Sequence, residues 1–414
     1  MKKHQINMVP VEKLIPYVNN ARKHSEQQVS QIAASIKEFG FVNPILIDAE
    51  NVLIAGHGRL AAAHKLGLKE VPCLRVEHLT EAQKRAYILA DNRLAELAEW
   101  DKELLNLELT QLKDLDFNFE LTGFDQDFVD EIQPIKEGLT DEDAVPEVDE
   151  EKIPVSKRGM TWLLGKHRLR CGDSTDENDV AALMNGEKVD LVHTDPPYNV
   201  AYDNQNRPKA GKNKLGSIKN DEMDDEKFFA FLQKAFLNSF NFSKNDSSIY
   251  IWYASKETLN FHAAAAAAAG WQINQQIIWK KPMLLGRGKY QWAHEPCVFG
   301  TRGSPFFTDD RTKTTVWDFG GYDKSKNVHP TQKPIFIPEE AILNSSKIND
   351  CVLDLFGGSG STLIACEKTN RRCYMMELDE KYCDVIVKRW QEFAGQKAIL
   401  EGTDKTFDDL ATEQ

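Results

Sequence analysis

Four consecutive residues, Asp195-Pro196-Pro197-Tyr198, combine a carboxylate acceptor, a stiff backbone and an aromatic face. The prolines have no N–H to give a ladder and they fix φ, so the chain leaves a sheet rigidly at this point. The apolar run Val189 to Val192 just ahead reads as a buried strand of a parallel sheet. An acceptor beside a ring on such a support suits a planar, amine-bearing group. Taken alone, the four residues fit a plain proline turn equally well.

A second stretch narrows the choice. Cys351 to Thr362 reads as a strand, a glycine turn and a helix start near Ser361, with glycines at 357, 358 and 360. Glycines let the backbone approach a ligand, and a helix start offers free N–H groups. A phosphate loop needs G-K-[S/T], which is absent, and a dinucleotide turn needs glycine where Leu363 stands. What remains is Asp354-x-Phe356-x-Gly358-x-Gly360. The next strand, Arg372 to Glu377, ends in a carboxylate suited to ribose hydroxyls. Ligands of open α/β sheets bind beyond the carboxyl ends of the strands. If the strands before Asp195 and Gly357 share one sheet, two pockets fall side by side.

The elements that must position these corners follow from periodicity. Residues 6–76 read as a small α/β unit: a strand from Ile6, a helix from Ser25 to Gly40, a hairpin from Pro44-Asp48 to Asn51-Ala55, a helix after Gly56 and a strand at Val71 to Val76. Residues 80–131 read as wholly helical, and the acidic stretch that follows as a linker. Beyond it come two short strands leading to Asp173, and the basic loop Tyr202 to Asn220. A helix over Phe228 to Phe242, a strand at Ser248 to Tyr253 and an alanine helix capped by Gly270 precede strands at Gln275 to Trp279 and Glu295 to Phe299. The run Ala263 to Ala269 carries no chemistry.

Composition bounds the whole. The 414 residues allow two or three domains, and 41% hydrophobic with 28% charged is ordinary for a soluble globular chain. A net charge of −13 gives no bulk affinity for polyanions, so nucleic-acid contacts must be local. The seven scattered cysteines lack a C-x-x-C pair, which argues for reduced thiols and against a metal cluster. No signal peptide or membrane-spanning run is visible, and a cytoplasmic protein is expected.

Two resemblances refine this. Gly56, Arg59 and Ala62, in that element order, resemble the N-terminal domain of ParB-like proteins, which implies an anion or nucleotide site at Gly56 and Arg59. Asp195-Pro-Pro-Tyr198, the turn from Asp354 to Gly360 and His329-Pro-Thr-Gln-Lys-Pro334 resemble the β class of DNA amino-methyltransferases. The implied architecture is α/β: a Rossmann-like S-adenosylmethionine-dependent methyltransferase sheet with permuted motif order, preceded by a ParB-like domain and a helical segment. The expected boundaries are 1–79, 80–131, a linker over 132–156, 157–398 with a small recognition region at 296–328, and a tail over 399–414.

The resemblance implies site-specific methylation of a flipped base in double-stranded DNA, at adenine N6, with cytosine N4 as the alternative. A ParB-like DNA-binding regulator with an inactive methyltransferase half is the reading from another class. Asp195 and the Pro196 carbonyl would accept from the target amine, Pro197 would stiffen the turn and Tyr198 would stack on the base. Asp354, Phe356, Gly357, Gly358 and Gly360 would line the methionine end of S-adenosylmethionine, Glu377 its ribose and Asp173 its adenine. Thr331, Lys333 and Pro334 would close over it. Lys209, Lys212, Lys214, Arg302, Arg311 and Lys313 are the expected DNA contacts, supplemented by the N-terminal domain. A homodimer and a nucleotide at the N-terminal domain are further partners to test, and no metal is expected.

Overall fold

Caps and turns build the first part of the chain as the sequence implies. Ser25 accepts from the Gln28 N–H at 3.1 Å and starts α1 (Glu26–Phe39), which Gly40 ends. β2 (Ile45–Ile47) and β3 (Leu53–Ala55) pair antiparallel, and Asp48 closes their turn by accepting from the Glu50 and Val52 N–H groups. α2 (His57–Leu66) lies between Gly56 and Gly67, both at positive φ. With β1 (Ile6–Pro10) and β4 (Glu70–Arg75) the strands form one sheet in the order β1-β4-β2-β3 around Val9, Ile45, Leu53 and Val71. The computed structural model describes residues 5–98, 100–132, 135–149, 151–199, 222–285, 289–320 and 333–413, in two units, Met1–Gln133 and Pro134–Gln414.

The stretch expected to be wholly helical is three helices with breaks. A capping box between Thr80 and Gln83 opens α3 (Glu81–Ala95). α4 (Lys102–Asp114) and α5 (Gln126–Glu131) follow, and Leu105, Leu109, Phe119, Val129 and Ile132 give them a small core of their own.

The second unit is a sheet of ten strands. Its elements are β5 (Thr161–Leu164), β6 (His167–Cys171), α6 (Glu177–Met184), β7 (Val189–Thr194), α7 (Asp225–Asn241), β8 (Ser243–Trp252), α8 (Thr258–Ala269), β9 (Gln272–Leu285) and β10 (Trp292–Arg302). Then come β11 (Val316–Trp317), α9 (Phe336–Ser345), β12 (Cys351–Asp354), α10 (Ser361–Lys368), β13 (Arg372–Glu377), α11 (Glu380–Ala394), β14 (Ile399–Leu400) and α12 (Phe407–Thr412). The order is β11-β9-β10-β8-β7-β12-β13-β6-β5-β14, with the run from β8 to β6 parallel. Strands from the end of the chain, β12 and β13, thus lie between β6 and β7. Val192, Leu353 and Met376 pack into the core on one face and Leu191, Val352 and Met375 on the other, as burial on both faces of a parallel sheet requires.

Four expectations change. β9 and β10 are long antiparallel partners, so residues 296–302 are sheet interior and not a recognition region. Ala264 and Ala265 are buried with Phe236 and Phe261, and their small side chains let α8 lie close against α7. The tail completes the sheet, with β14 on β5 and the Phe407 ring 5.3 Å from Trp162. The acidic linker is part of the second unit.

Its carboxylates and backbone find basic and N–H partners there. Lys136 N–H donates to Lys368 O at 2.8 Å, Leu139 N–H to Phe393 O at 2.9 Å, and Arg389 to Glu142 O at 2.7 Å. Asp143 accepts from the Ile335 N–H at 3.0 Å, and Asp384 accepts from the Val155 and Ser156 N–H groups at 2.8 and 2.9 Å. Asp384 and Arg389 are 7% and 3% exposed, so removing their partners leaves buried charges uncompensated. A chain beginning at residue 134 should therefore fold, and one beginning at 157 should be less stable by on the order of 3–5 kcal/mol. Urea unfolding of both checks this, and equal midpoints would show that the strap is idle.

Candidate active site

Four neighbouring strands end in four functional corners. Asp195 follows β7, the glycine turn follows β12, Glu377 closes β13, and Asp173 stands two residues beyond β6. Register brings them level: Leu353 lies opposite Val192 and Glu377 opposite Cys171. The corners after β7 and β12 are adjacent because the two strands pair directly.

At the β7 corner the charged groups converge. Tyr198 O–H donates to Asp195 Oδ1 at 2.6 Å, and the Lys333 ammonium donates to Asp195 Oδ2 at 2.5 Å. Glu295, on β10, lies 2.7 Å from both the Tyr198 hydroxyl and Lys333 Nζ, and its other oxygen pairs with Lys281. The ammoniums of Lys333 and Lys281 hold the Glu295 carboxyl down at about 2 despite burial. Tyr198 is pushed well above the usual phenol range by burial and the two carboxylates, so it keeps its proton. Asp195 and Glu295 against Lys333 and Lys281 sum to zero charge, which is what makes this burial tolerable. Lys333 Nζ also lies 5.3 Å from the Tyr198 ring centroid and 5.4 Å from that of Trp252.

Pro196 is buried and Pro197 half-buried, so the turn is held as the prolines imply. Asn199, at φ 52, ties it down by bonding both the N–H and the carbonyl of Met223.

Beneath the corners runs a buried polar chain. Trp252 Nε1–H donates to His193 Nε2 at 3.0 Å, so Nδ1 carries the imidazole proton and faces Thr362 Oγ1 at 3.1 Å. Thr362 donates to Asp354 Oδ2 at 2.7 Å, while Thr194 and the Phe356 N–H donate to Oδ1. Burial and the Lys333 charge pull His193 down to about 3, so it is neutral. Burial pushes Asp354 up to about 7 against those donors.

Several expected site residues therefore stand elsewhere than their motifs suggest. Asp354, 3% exposed, knots β7 to β12 and α10. Lys333 points its ammonium at Asp195, and only its carbonyl, accepting from Ser361 at 2.9 Å, adjoins the glycine turn. Pro334 is buried behind it, and Phe356 packs edge-on against Phe231. Arg302 lies opposite Ser247, at the far end of the sheet from these corners, with its guanidinium on the Phe240 and Ser243 carbonyls and the Phe240 ring. Lys313 pairs with Glu340, and Arg311 is exposed. Lys209, Lys212, Lys214 and Thr331 lie outside the described residues. Glu295, Lys281, Trp252 and His193 were missed; only the pairing of β10 with β9 and β8 reveals them.

The glycine corner has the features a nucleoside with a zwitterionic tail requires. A Cβ on Gly357 would sit 2.8 Å from Met375, so this glycine lets β12 turn against β13, whereas Gly358, at φ 53, faces open space. Gly360, at φ 84, starts α10, whose first N–H groups have no acceptor among the described residues. Glu377 takes the Gly358 and Asp379 N–H groups, one on each oxygen, and retains lone pairs for hydroxyls. Asp173 is oriented by Thr175, and among the described residues none donates to its Oδ2. These residues fit S-adenosylmethionine.

In the first unit, Gly56 at φ 102 and Arg59 come together at the start of α2, and Arg59 Nε is buried without a hydrogen-bond partner among the described residues.

Comparison with known proteins accords with this geometry. Residues 189–388 match the DNA methylase family of N6 and N4 enzymes, residues 1–93 the ParB N-terminal domain and residues 103–158 the ParB-methyltransferase HTH domain. The chain carries a DNA methylase domain of the N6/N4 family. It also carries a ParB N-terminal domain. The ParB-like nuclease domain-containing protein YnaK of Escherichia coli is 49% identical over 76 residues, 18% of this chain and 87% of YnaK. The type II methyltransferase M.HpaI of Haemophilus parainfluenzae is 27% identical over 260 residues, 56% of this chain and 79% of that enzyme. A crystal structure of an M1.HpyAVI-SAM complex overlays with a TM-score of 0.41 at 20% identity, over 53% of this chain and 97% of that one. By its family match the methylase is a DNA methyltransferase. Among the described residues no helix is long and apolar enough to cross a membrane, and no cluster could hold a metal ion.

Asp354 carries a stability signature. Folded, it keeps its proton to about pH 7; unfolded, it releases it near pH 4. Folding takes up a proton in that window, so this group's stabilisation is present below about pH 4 and is lost as pH rises to about 7. Asp354→Asn should remove that loss, flattening the pH dependence by roughly 1.4 kcal/mol per unit. Urea titrations across the window measure it, and an unchanged slope would count against burial as the cause.

Proposed function

We propose that the methylase transfers a methyl group to the N6 amine of an adenine flipped out of double-stranded DNA. The adjacency of the Asp195 corner to the glycine turn, on the paired strands β7 and β12, carries this reading. It is the geometry a direct transfer needs. The choice of adenine over cytosine N4 rests on the aspartate that opens Asp195-Pro-Pro-Tyr198. The described corners remain intact, against the reading of a regulator with an inactive methylase half.

S-adenosylmethionine supplies an electrophilic methyl on sulfur. The chain's own residues do the rest. Glu377 would accept from the ribose hydroxyls, Asp173 Oδ2 from the adenine amine of the cofactor, and the start of α10 would hold its carboxylate. The flipped base stacks on Tyr198. Asp195 and the Pro196 carbonyl accept the two amine hydrogens and turn the nitrogen lone pair toward the methyl. The amine sheds its proton only as the methyl arrives, so the carboxylate serves first as an orienting acceptor. Its charge is already matched by Lys333 at 2.5 Å, which suits that role.

Mass spectrometry of nucleosides from DNA incubated with the methylase and labelled cofactor should report N6-methyladenine. Asp195→Ala should abolish the label while cofactor binding, followed by calorimetry, survives. N4-methylcytosine would overturn the base assignment, and persistent labelling by the variant would overturn the role of Asp195.

For the first unit we infer a nucleotide site at Gly56 and Arg59. The buried, unpartnered Arg59 Nε beside a helix start supports a phosphate ligand. Arg59→Ala should lower nucleoside triphosphate affinity at least about 10-fold, the loss of one charge-assisted contact. Equilibrium dialysis with labelled nucleotides measures it; binding unchanged in the variant would remove Arg59 from that role.

A further inference from the structure

One proton decides how the Asp195 corner can rearrange. The Lys333 ammonium has three N–H bonds and three oxygen partners: Asp195 Oδ2 at 2.5 Å, Tyr198 Oη at 2.8 Å and Glu295 Oε1 at 2.7 Å. The Tyr198 hydroxyl has a single proton and two carboxylates within reach, Asp195 Oδ1 at 2.6 Å and Glu295 Oε1 at 2.7 Å. It can serve only one at a time. When Tyr198 donates to Asp195, each Asp195 oxygen carries a donor, Tyr198 on one and Lys333 on the other. An incoming amine must then share Oδ1 with the hydroxyl, which already holds one of its lone pairs and leaves it the weaker acceptor. When Tyr198 donates to Glu295, Asp195 Oδ1 is released and Lys333 keeps all three partners. Glu295 is built for that exchange: it is 12% exposed, its second oxygen is matched by Lys281, and it sits on β10, outside the turn that carries Asp195.

We propose that Glu295 is a positioning residue for the transfer, which draws the Tyr198 proton away from Asp195 and so frees Oδ1 for the target amine. The inference rests on the reading of Asp195 as the acceptor of that amine. No covalent bond changes; the hydroxyl turns about its C–O bond. A neutral acceptor at 295 would lose the competition, because a hydrogen bond to a charged carboxylate is the stronger one. The plain alternative is that Glu295 only offsets the buried ammoniums of Lys281 and Lys333.

Rescue separates the two. Single-turnover methylation of duplex DNA should slow roughly 10- to 100-fold in Glu295→Gln, with cofactor affinity within about 2-fold of the unaltered chain. Adding Tyr198→Phe, which keeps the ring and removes the competing proton, should recover several-fold of that loss. Should Glu295→Gln fail to fold, Glu295→Gln/Lys281→Met keeps the cluster neutral and carries the same comparison. Unaltered rates in the glutamine variant, or a further drop on adding Tyr198→Phe, would overturn the inference. Asp195→Asn, run alongside, shows which idea fails. If it is inactive while Glu295→Gln is fully active, the role of Glu295 alone falls; if it still methylates, the reading of Asp195 falls and takes this inference with it.

Discussion

The insertion of β12 between β7 and β13 is the constraint on which this centre depends. Residues 195 and 357 are far apart in the chain, and only the parallel pairing of Leu191 with Val352 and Val192 with Leu353 makes their corners neighbours. Two loops could not hold that relation. The buried knot at Asp354 does, because Thr194 reaches it from the end of β7 and Thr362 from the first turn of α10. His193 and Trp252 extend the same chain to β8. A polar network this deep is tolerated when its members are satisfied, and these donors and acceptors are.

Charge balance explains the corner above the knot. An isolated buried carboxylate or ammonium costs several kcal/mol. Asp195, Glu295, Lys333 and Lys281 cancel, and their short contacts supply the hydrogen bonds that burial removes from water. The result is an acceptor whose negative charge is compensated before any substrate arrives. Tyr198 couples the two carboxylates, its one hydroxyl lying within hydrogen-bond reach of both.

What was legible in the sequence was what local chemistry dictates. Proline stiffness at 196 and 197, glycine freedom at 358 and 360, and a carboxylate ending a strand at 377 each follow from a few adjacent residues. They survive into the structure at the ends of β7, β12 and β13. Glu295 was not legible. It is one glutamate within a strand, and its meaning comes from pairing across β9 and β8 that no local pattern encodes. Lys333 was legible as a functional residue but not in its target, because a four-carbon side chain reaches in directions that a motif does not specify. Arg302 looked like a phosphate contact by charge alone; the carbonyls of Phe240 and Ser243 claim it. The linker misled for a related reason. Acidic, proline-containing sequence reads as solvated chain unless a basic surface waits for it.

That surface ties the strap to the centre. Arg389 donates to Ser359 of the glycine turn and, through its other nitrogen, to the Glu142 carbonyl. The next residue, Asp143, holds the Ile335 N–H, two residues beyond Lys333. One short piece of strap therefore touches the backbone on both sides of the methyl-transfer geometry: the turn that lines the cofactor corner and the segment that delivers the ammonium to Asp195. The Lys333 carbonyl, accepting from Ser361, closes the loop between them. The sheet sets where the strand ends stand, but the segments beyond those ends have no ladder to hold them. Hydrogen bonds from the strap, with Arg389 buried at their centre, do for these segments what pairing does for the strands. The acidic stretch from residue 134 is thus a packed part of the second unit, bonded to the segments on either side of the glycine turn.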